Sequence, residues 1–223
     1  MIFKNKRYIT FDCYGTLIDW EGSICAIFQK YVHDKNIKLN MNGLVQRYIK
    51  VEYEIEQEQY RKYKEVLKIA TKKLFKEEGF EILDEDTDIL VNSIYKWPPF
   101  NETRQILSVL KNKGYKLVIL SNIDEDIINE SIKLIGINFD GIITAEKVKS
   151  YKPSYKHWQE MLKQFNVAKE EVIHVAASYM HDIIPAKEQS FNTIWINRNN
   201  EKITTAIKPD LELTNLNSLP NYL

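Results

Sequence analysis

The stretch that decides the fold of this 223-residue chain is Tyr8-Ile9-Thr10-Phe11-Asp12-Cys13-Tyr14-Gly15-Thr16-Leu17. It begins with strand-forming residues and delivers an aspartate, Asp12, into a loop that Gly15 makes prone to turn. In a sheet of parallel strands, ligands bind beyond the carboxyl ends of the strands. We therefore expect Asp12 to stand at the functional edge of such a sheet.

Further segments have the composition of strands in the same sheet. They are short apolar runs rich in β-branched residues, and those after residue 110 are far enough apart for crossover helices. This alternation predicts an α/β fold, a Rossmann-like parallel sheet core. The predicted strands are 8–12, 117–121, 141–145, 172–177 and 193–197, with a weaker candidate at 210–213.

The composition changes between residues 19 and 95. This segment is rich in Glu, Lys, Gln and Tyr, and within 44–69 apolar residues recur at helical intervals. Trp97-Pro98-Pro99-Phe100 then ends the helical pattern. We predict a core domain of residues 1–18 and 96–223, with an inserted helical cap domain of residues 19–95. The charge run around 52–64 is expected to be a solvated helix face.

The composition argues against several kinds of partner. Lys plus Arg equals Asp plus Glu at 31 each, so no net field attracts nucleic acid or an anionic membrane. No apolar run approaches the about 20 residues that span a bilayer, and the first residues do not resemble a signal peptide. The two cysteines, Cys13 and Cys25, have no metal-ligand spacing and fit a reducing compartment. We expect a cytoplasmic protein without nucleic-acid or membrane partners.

Polar residues follow the other predicted strands, in an order that spans nearly the whole chain: Ser121-Asn122, Lys152-Pro153 and Asp182. This order resembles the haloacid dehalogenase superfamily, and most closely its L-2-haloacid dehalogenases, the type II enzymes. Their opening loop reads Asp-x-Tyr-Gly-Thr-Leu, as residues 12–17 do. Their cap carries an arginine followed five and six residues later by Glu-Tyr, matched here by Arg47, Glu52 and Tyr53.

The resemblance implies a small 2-haloalkanoic acid as substrate and a role for each site residue. Asp12 would attack the carbon that bears the halogen, and water would hydrolyse the resulting ester to a 2-hydroxy acid. Lys152 would keep Asp12 ionised, and Asp182 would orient Lys152 or the water. The remaining expected site residues are Thr16 and Ser121 for hydrogen bonds to carboxylates, Arg47 for the halide, Asn122 for the substrate carboxylate, and Tyr14, Ser178, His181 and Trp158 for substrate binding.

Two departures from the phosphatases of this superfamily favour dehalogenation. Those enzymes carry a second aspartate two residues after the nucleophile, where this chain has Tyr14, and a metal-binding aspartate where it has Ala177. A halide leaves without a proton, and a hard cation such as Mg²⁺ prefers oxygen ligands. We therefore expect no metal and no other cofactor, with Mg²⁺ disfavoured.

The loop before Asp182 leaves alternatives open. It is one residue longer than in the type II pattern and contains Ser178, Tyr179, Met180 and His181. A sister branch of the family opens the ring of azetidine-2-carboxylate, and His181 would serve its leaving amine as a proton donor. A degenerate Mg²⁺-dependent phosphatase and a non-catalytic ligand-binding protein are further alternatives. The sequence is compatible with a monomer or a homodimer.

Overall fold

The computed structural model describes residues 3–223 and contains a six-stranded parallel sheet of order β3-β2-β1-β4-β5-β6. The α/β fold with a parallel sheet is confirmed, and each predicted strand is present with ends that differ by one residue. The strands are β1 (Tyr8–Phe11), β2 (Lys116–Ser121), β3 (Gly141–Thr144), β4 (Val172–Ala176), β5 (Asn192–Ile196) and β6 (Leu211–Leu213).

The order of the strands creates a switch point beside β1. The chain proceeds from β1 to β2 and β3 on one side, and then returns to add β4, β5 and β6 on the other side. Asp12 follows β1, and its backbone N–H donates to Val175 O at 3.1 Å. Ligands of doubly wound sheets bind at such a switch point, beyond the carboxyl ends of the strands.

Four helices form the insertion that follows β1: α1 (Trp20–Asp34), α2 (Leu44–Glu56), α3 (Tyr63–Glu77) and α4 (Ile89–Ser93). They pack through an aromatic centre, in which the Phe28 ring lies 5.5 Å from the rings of both Tyr48 and Phe75. The segments that enter and leave this insertion run side by side, since Ile18 bridges to Pro99. The helical insertion is therefore present, while its boundaries as a cap domain at residues 19 and 95 stay a prediction.

The remaining helices flank the sheet: α5 (Thr103–Asn112), α6 (Glu125–Ile135), α7 (Ala145–Val148), α8 (Lys156–Phe165) and α9 (Ile184–Glu188). Trp158 of α8 packs in one apolar cluster with Val118 and Leu120 of β2. Near the carboxyl terminus, β6 pairs with β5 and completes the sheet. Across residues 3–223, none of the helices combines the length and the apolar character that a membrane span requires.

Candidate active site

Asp12 lies immediately after β1, and its carboxylate is held from both sides. Thr16 Oγ1 donates to Asp12 Oδ2 at 2.7 Å, and Lys152 Nζ donates to Asp12 Oδ1 at 2.8 Å. Burial raises the pKa of Asp12, while the Lys152 ammonium and the Thr16 hydrogen bond act in the opposite direction. The two hydrogen bonds fix the orientation of the carboxylate.

The loop after Asp12 depends on Gly15. Its φ is +92°, in the left-handed region that glycine adopts readily. A Cβ at this position would meet no atom within 4 Å, so the backbone conformation rather than the available space requires glycine. The turn brings Thr16 Oγ1 to a position where it also accepts a hydrogen bond from Ala177 N at 2.8 Å. Thr16 thereby connects the ends of β1 and β4.

Lys152 is the central cation of the site and is only 1% exposed. Its Nζ donates to Asp12 Oδ1 at 2.8 Å, to Asp182 Oδ1 at 2.7 Å and to the carbonyl oxygen of Leu120 at 3.0 Å. An ammonium has three N–H donors, so all of them are used. Burial lowers the pKa of Lys152, but the two carboxylates outweigh it and raise the pKa above its ordinary value. Lys152 is therefore charged.

Asp182 is held by a second buried group, His174 on β4. His174 Nε2 lies 2.9 Å from Asp182 Oδ1, and His174 Nδ1 lies 2.8 Å from Thr10 Oγ1. Because an ionised carboxylate only accepts hydrogen bonds, Nε2 carries the proton that faces Asp182. Burial raises the pKa of Asp182, yet Lys152 and His174 together bring it down to about 2. The Asp182 carboxylate is thus ionised and fixed in place.

These groups open into a cavity of about 520 Å³. Residues at the ends of the strands form one wall, and residues of α2 form the opposite wall. The wall at the sheet includes Asp12, Tyr14, Ser121, Asn122 and Lys152, and the α2 wall includes Gln46, Ile49, Lys50, Glu52, Tyr53 and Glu56.

Two expected substrate-binding residues in this cavity are held by neighbouring groups. Asn122 Oδ1 accepts from Lys152 N at 2.7 Å, and Asn122 Nδ2 donates to Lys152 O at 3.2 Å. The Tyr14 hydroxyl lies 2.6 Å from Ser131 Oγ, which leaves the Tyr14 ring as the part that lines the cavity. Both residues are therefore positioned by the protein itself.

The loop after β4 accommodates its extra residue in a π-helical turn over Tyr179–Ile183. Ile183 N donates to Ser178 O, five residues earlier, at 3.2 Å. Within this turn, Ser178 Oγ lies 2.9 Å from His181 Nδ1. Burial lowers the pKa of His181 to about 4, so its imidazole is neutral near pH 7. The turn brings Ser178 and His181 into the cavity wall.

Two expected site residues lie elsewhere. The Arg47 guanidinium pairs with Glu78 and donates to the carbonyl oxygens of Asn42 at 2.7 Å and Asn40 at 2.8 Å, so it does not line the cavity. Trp158 is fully buried beside β2, edge-on to His174, and packs in the core instead of the pocket. These placements correct the expectation that Arg47 reaches the halide and that Trp158 binds substrate.

Glu52 and Glu56 correct a further expectation. Both belong to the charge run that was expected to be solvated, yet they are 7% and 9% exposed and line the cavity. Glu52 and Glu56 follow Tyr48 at intervals of four, so the three side chains share the buried side of α2. His174 was also missed as a site residue, since a histidine within an apolar strand carries no distinctive spacing.

The carboxylates of the site bear on whether a divalent cation fits. Among the residues described, no group of three or more His, Cys, Asp or Glu side chains has a metal-binding arrangement. Asp12 and Asp182 both direct an oxygen at the same Lys152 ammonium. The positive charge that these two carboxylates need is therefore supplied by a side chain.

Comparison with known proteins gives consistent results. The family model for haloacid dehalogenase-like hydrolases matches residues 9–196. The chain is 27% identical to (S)-2-haloacid dehalogenase 1 of Pseudomonas sp. (strain CBS-3), over 97% of this chain and 96% of that protein. It is 26% identical to haloacetate dehalogenase H-2 of Moraxella sp. (strain B), over 87% of each. The crystal structure of L-2-haloacid dehalogenase from Xanthobacter autotrophicus superposes with a TM-score of 0.83 at 19% identity, covering 97% of each chain.

Proposed function

The chain belongs to the haloacid dehalogenase-like hydrolase family, and we propose that it displaces halide from a small 2-haloalkanoic acid to give the 2-hydroxy acid. The observation that carries this proposal is the Asp12 carboxylate, fixed by Lys152 and Thr16 at the wall of a cavity of about 520 Å³. The curated relatives that match nearly the whole chain, which include an (S)-2-haloacid dehalogenase, support it.

The proposed reaction has two chemical steps. In the first, an Asp12 oxygen attacks the carbon that bears the halogen, so that a C–O bond forms while the carbon–halogen bond breaks and halide leaves with the electron pair. In the second, water attacks the carbonyl carbon of the Asp12 ester, which releases the 2-hydroxy acid and regenerates the carboxylic acid. Covalent catalysis of this kind divides one difficult substitution into two easier steps.

The polar residues around Asp12 suit the first step. Lys152 and Thr16 hold the Asp12 carboxylate in one orientation, so that little reorganisation is needed when it attacks. Asp182 holds Lys152 in turn and is itself held by His174, so Asp182 acts on the reaction through Lys152. We assign the substrate carboxylate to the wall formed by Ser121 and Asn122.

The identity of two further residues favours a halide over a phosphate ester. Tyr14 occupies the position of the aspartate that protonates the leaving oxygen in the phosphatases of this superfamily, and its hydroxyl is bonded to Ser131. Because halide is a weak base, its departure needs no proton donor. Ala177 offers no carboxylate for a metal. Dehalogenation needs neither the proton-donating aspartate nor the metal-binding aspartate that Tyr14 and Ala177 replace.

We also propose that the reaction needs no metal or other cofactor. The Lys152 ammonium lies 2.8 Å from Asp12 Oδ1 and 2.7 Å from Asp182 Oδ1. A Mg²⁺ ion that bridged the same two oxygens would have to displace this ammonium, and its short, rigid coordination sphere makes that costly. The donor set around Asp12 therefore fits a buried ammonium better than Mg²⁺.

Halide release is the experiment that tests this function. Purified protein is incubated with each enantiomer of 2-chloropropionate in a buffer that contains a chelator, and chloride is measured over many turnovers. We expect catalytic release from one enantiomer. Azetidine-2-carboxylate without metal and p-nitrophenyl phosphate with Mg²⁺ form parallel assays. Ring opening or Mg²⁺-dependent phosphate release, in the absence of chloride release, would refute the dehalogenase proposal.

A further inference from the structure

A histidine and a glutamate face each other in the cavity, too far apart for a good direct hydrogen bond. His181 Nε2 lies 3.6 Å from Glu56 Oε2, beyond hydrogen-bond distance for a good contact. Nε2 is buried and has no hydrogen-bond partner among residues 3–223. Within the same described residues, the one hydrogen bond that Glu56 Oε2 accepts is a long one, 3.3 Å, from Asn122 Nδ2. Two polar atoms about 3.6 Å apart can both hydrogen-bond a third atom that lies beside the line between them.

This pair is linked to Asp12 along two separate routes. On one side, Glu56 contacts Asn122, whose amide holds the backbone of Lys152, and Lys152 Nζ donates to Asp12 Oδ1. On the other side, His181 contacts Ser178, which follows Ala177, and Thr16 connects Ala177 N to Asp12 Oδ2. Both residues also line the same cavity as Asp12, at whose carboxyl group the ester would form.

Asp182, the other candidate for activating water, has one oxygen engaged and one without a partner. Its Oδ1 accepts from both Lys152 and His174, while its Oδ2 is buried without a hydrogen-bond partner among residues 3–223. Those contacts lower the pKa of Asp182 to about 2, which makes it a weak base. The pKa of His181, at about 4, is higher, and its Nε2 has no competing partner. Of the two groups, the His181 imidazole is the better proton acceptor.

We propose, on the basis of the function proposed above, that Glu56 and His181 bind the water that hydrolyses the Asp12 ester and that His181 deprotonates it. The π-helical turn over Tyr179–Ile183 carries His181 into the cavity, and the buried side of α2 carries Glu56. The pair thus joins the loop after β4 to the helical insertion. Ester hydrolysis therefore depends on α2 as well as on the strand ends.

The proton movements balance. Water gives a proton to His181 Nε2, and its oxygen bonds to the carbonyl carbon of the ester. When the bond to the substrate oxygen breaks, that oxygen takes the proton of the Glu56 carboxyl, whose pKa is raised by burial. His181 then returns its proton to Glu56. Asp12 leaves as a carboxylic acid and loses its proton to solvent, which restores the carboxylate.

Glu54 provides a matched control on the same helix. It lies two residues before Glu56 but is exposed, and its Oε2 pairs with Lys73 Nζ at 2.7 Å. Glu54 does not line the cavity that contains Glu56 and His181. Glu54→Gln therefore makes the same substitution on α2 outside the Glu56–His181 pair.

The test separates displacement from hydrolysis. Wild type, Glu56→Gln, His181→Gln and Glu54→Gln are mixed rapidly with the reactive enantiomer of 2-chloropropionate. Chloride is followed with time, and the mass of the quenched protein is measured by mass spectrometry. We expect Glu56→Gln and His181→Gln to release about one chloride per protein and then slow by roughly 10²- to 10⁴-fold, with the ester retained on Asp12. Glu54→Gln should turn over as wild type does.

The possible failures are distinguishable. If wild type releases no chloride from either enantiomer, the proposed function is wrong and this inference with it. If wild type turns over but neither variant accumulates the ester, only the role of the Glu56–His181 pair is refuted. Circular dichroism reports whether each variant folds. Should Glu56→Gln not fold, His181→Gln on the opposite wall still decides the outcome.

Discussion

The Lys152 ammonium lies 2.8 Å from Asp12 Oδ1, with the two side chains 1% and 8% exposed. The same ammonium contacts Asp182, so one cation neutralises two buried carboxylates. Removing it would place two negative charges next to each other inside the protein. Both the folded state and the reactivity of Asp12 therefore depend on Lys152.

Replacing Lys152 with methionine should lower the free energy of unfolding by about 3 kcal/mol at pH 7, because it leaves buried charge without a partner. Chloride release should fall by at least about 100-fold, since Asp12 loses the cation that keeps it ionised and oriented. Urea unfolding and the chloride assay measure the two effects. Lys156→Met, at an exposed lysine of α8, is the control. A Lys152→Met protein with wild-type stability would contradict this account.

His174→Phe tests the support of Asp182. Phenylalanine keeps a ring in the same space but loses the contacts with Asp182 and Thr10. We expect a loss of about 1–3 kcal/mol in the free energy of unfolding, since two buried polar groups lose partners. The initial release of chloride, which reports the displacement step and is called the burst here, should also slow. Thr10→Val removes only the outer contact and should have the smaller effect on the burst, so equal slowing in the two variants would contradict a role for His174 in holding Asp182.

Glu52 should make the stability depend on pH. Burial raises the pKa of Glu52 to about 7, whereas an unfolded glutamate titrates near its ordinary value of 4.5. The folded state thus holds the proton more tightly, and wild-type stability decreases as the pH rises from about 4.5 to about 7. Glu52→Gln cannot lose a proton and should gain up to about 3 kcal/mol relative to wild type between pH 5 and pH 8. Urea unfolding measures both proteins at the two pH values. If the difference in the free energy of unfolding between Glu52→Gln and wild type were the same at pH 5 and pH 8, the raised pKa of Glu52 would be contradicted.

Arg47→Ala should leave chloride release within about threefold of wild type, because its guanidinium pairs with Glu78 away from the cavity. The free energy of unfolding should fall by no more than about 1 kcal/mol, as for a partly exposed ion pair. Glu78→Ala removes the same ion pair and should have the same effects on chloride release and on the free energy of unfolding as Arg47→Ala. A loss of more than about 100-fold in chloride release would mean that Arg47 turns into the cavity during the reaction, as the family resemblance implies.

The strand ends explain why much of the site was predictable. Asp12 and Ser121 end predicted strands, Lys152 and Asp182 follow predicted strands, and parallel strands bring their carboxyl ends to one edge. Their chain positions therefore determine their proximity. The apolar runs of β1, β2 and β4 were equally informative, because central parallel strands are buried on both faces.

The rotation of α2 was not predictable in the same way. Successive helical residues advance by about 100°, so Arg47 points roughly opposite to Ile49, which lines the cavity. Arg47 and Glu56 are both charged, but they therefore lie on different sides of the helix. The family motif favoured Arg47, whereas the buried side of α2 carries Glu52 and Glu56. Which side of an inserted helix faces the sheet depends on tertiary packing.

In the proposed reaction, Asp12 attacks a carbon atom without the help of a metal. This step is tested most directly by chloride release from both enantiomers of 2-chloropropionate in excess EDTA, with wild type and Asp12→Asn measured together. The account predicts steady release by wild type from one enantiomer and none above background by Asp12→Asn, whose neutral amide is a poor nucleophile. Undiminished release by Asp12→Asn, or release by wild type only after Mg²⁺ is added, would contradict it.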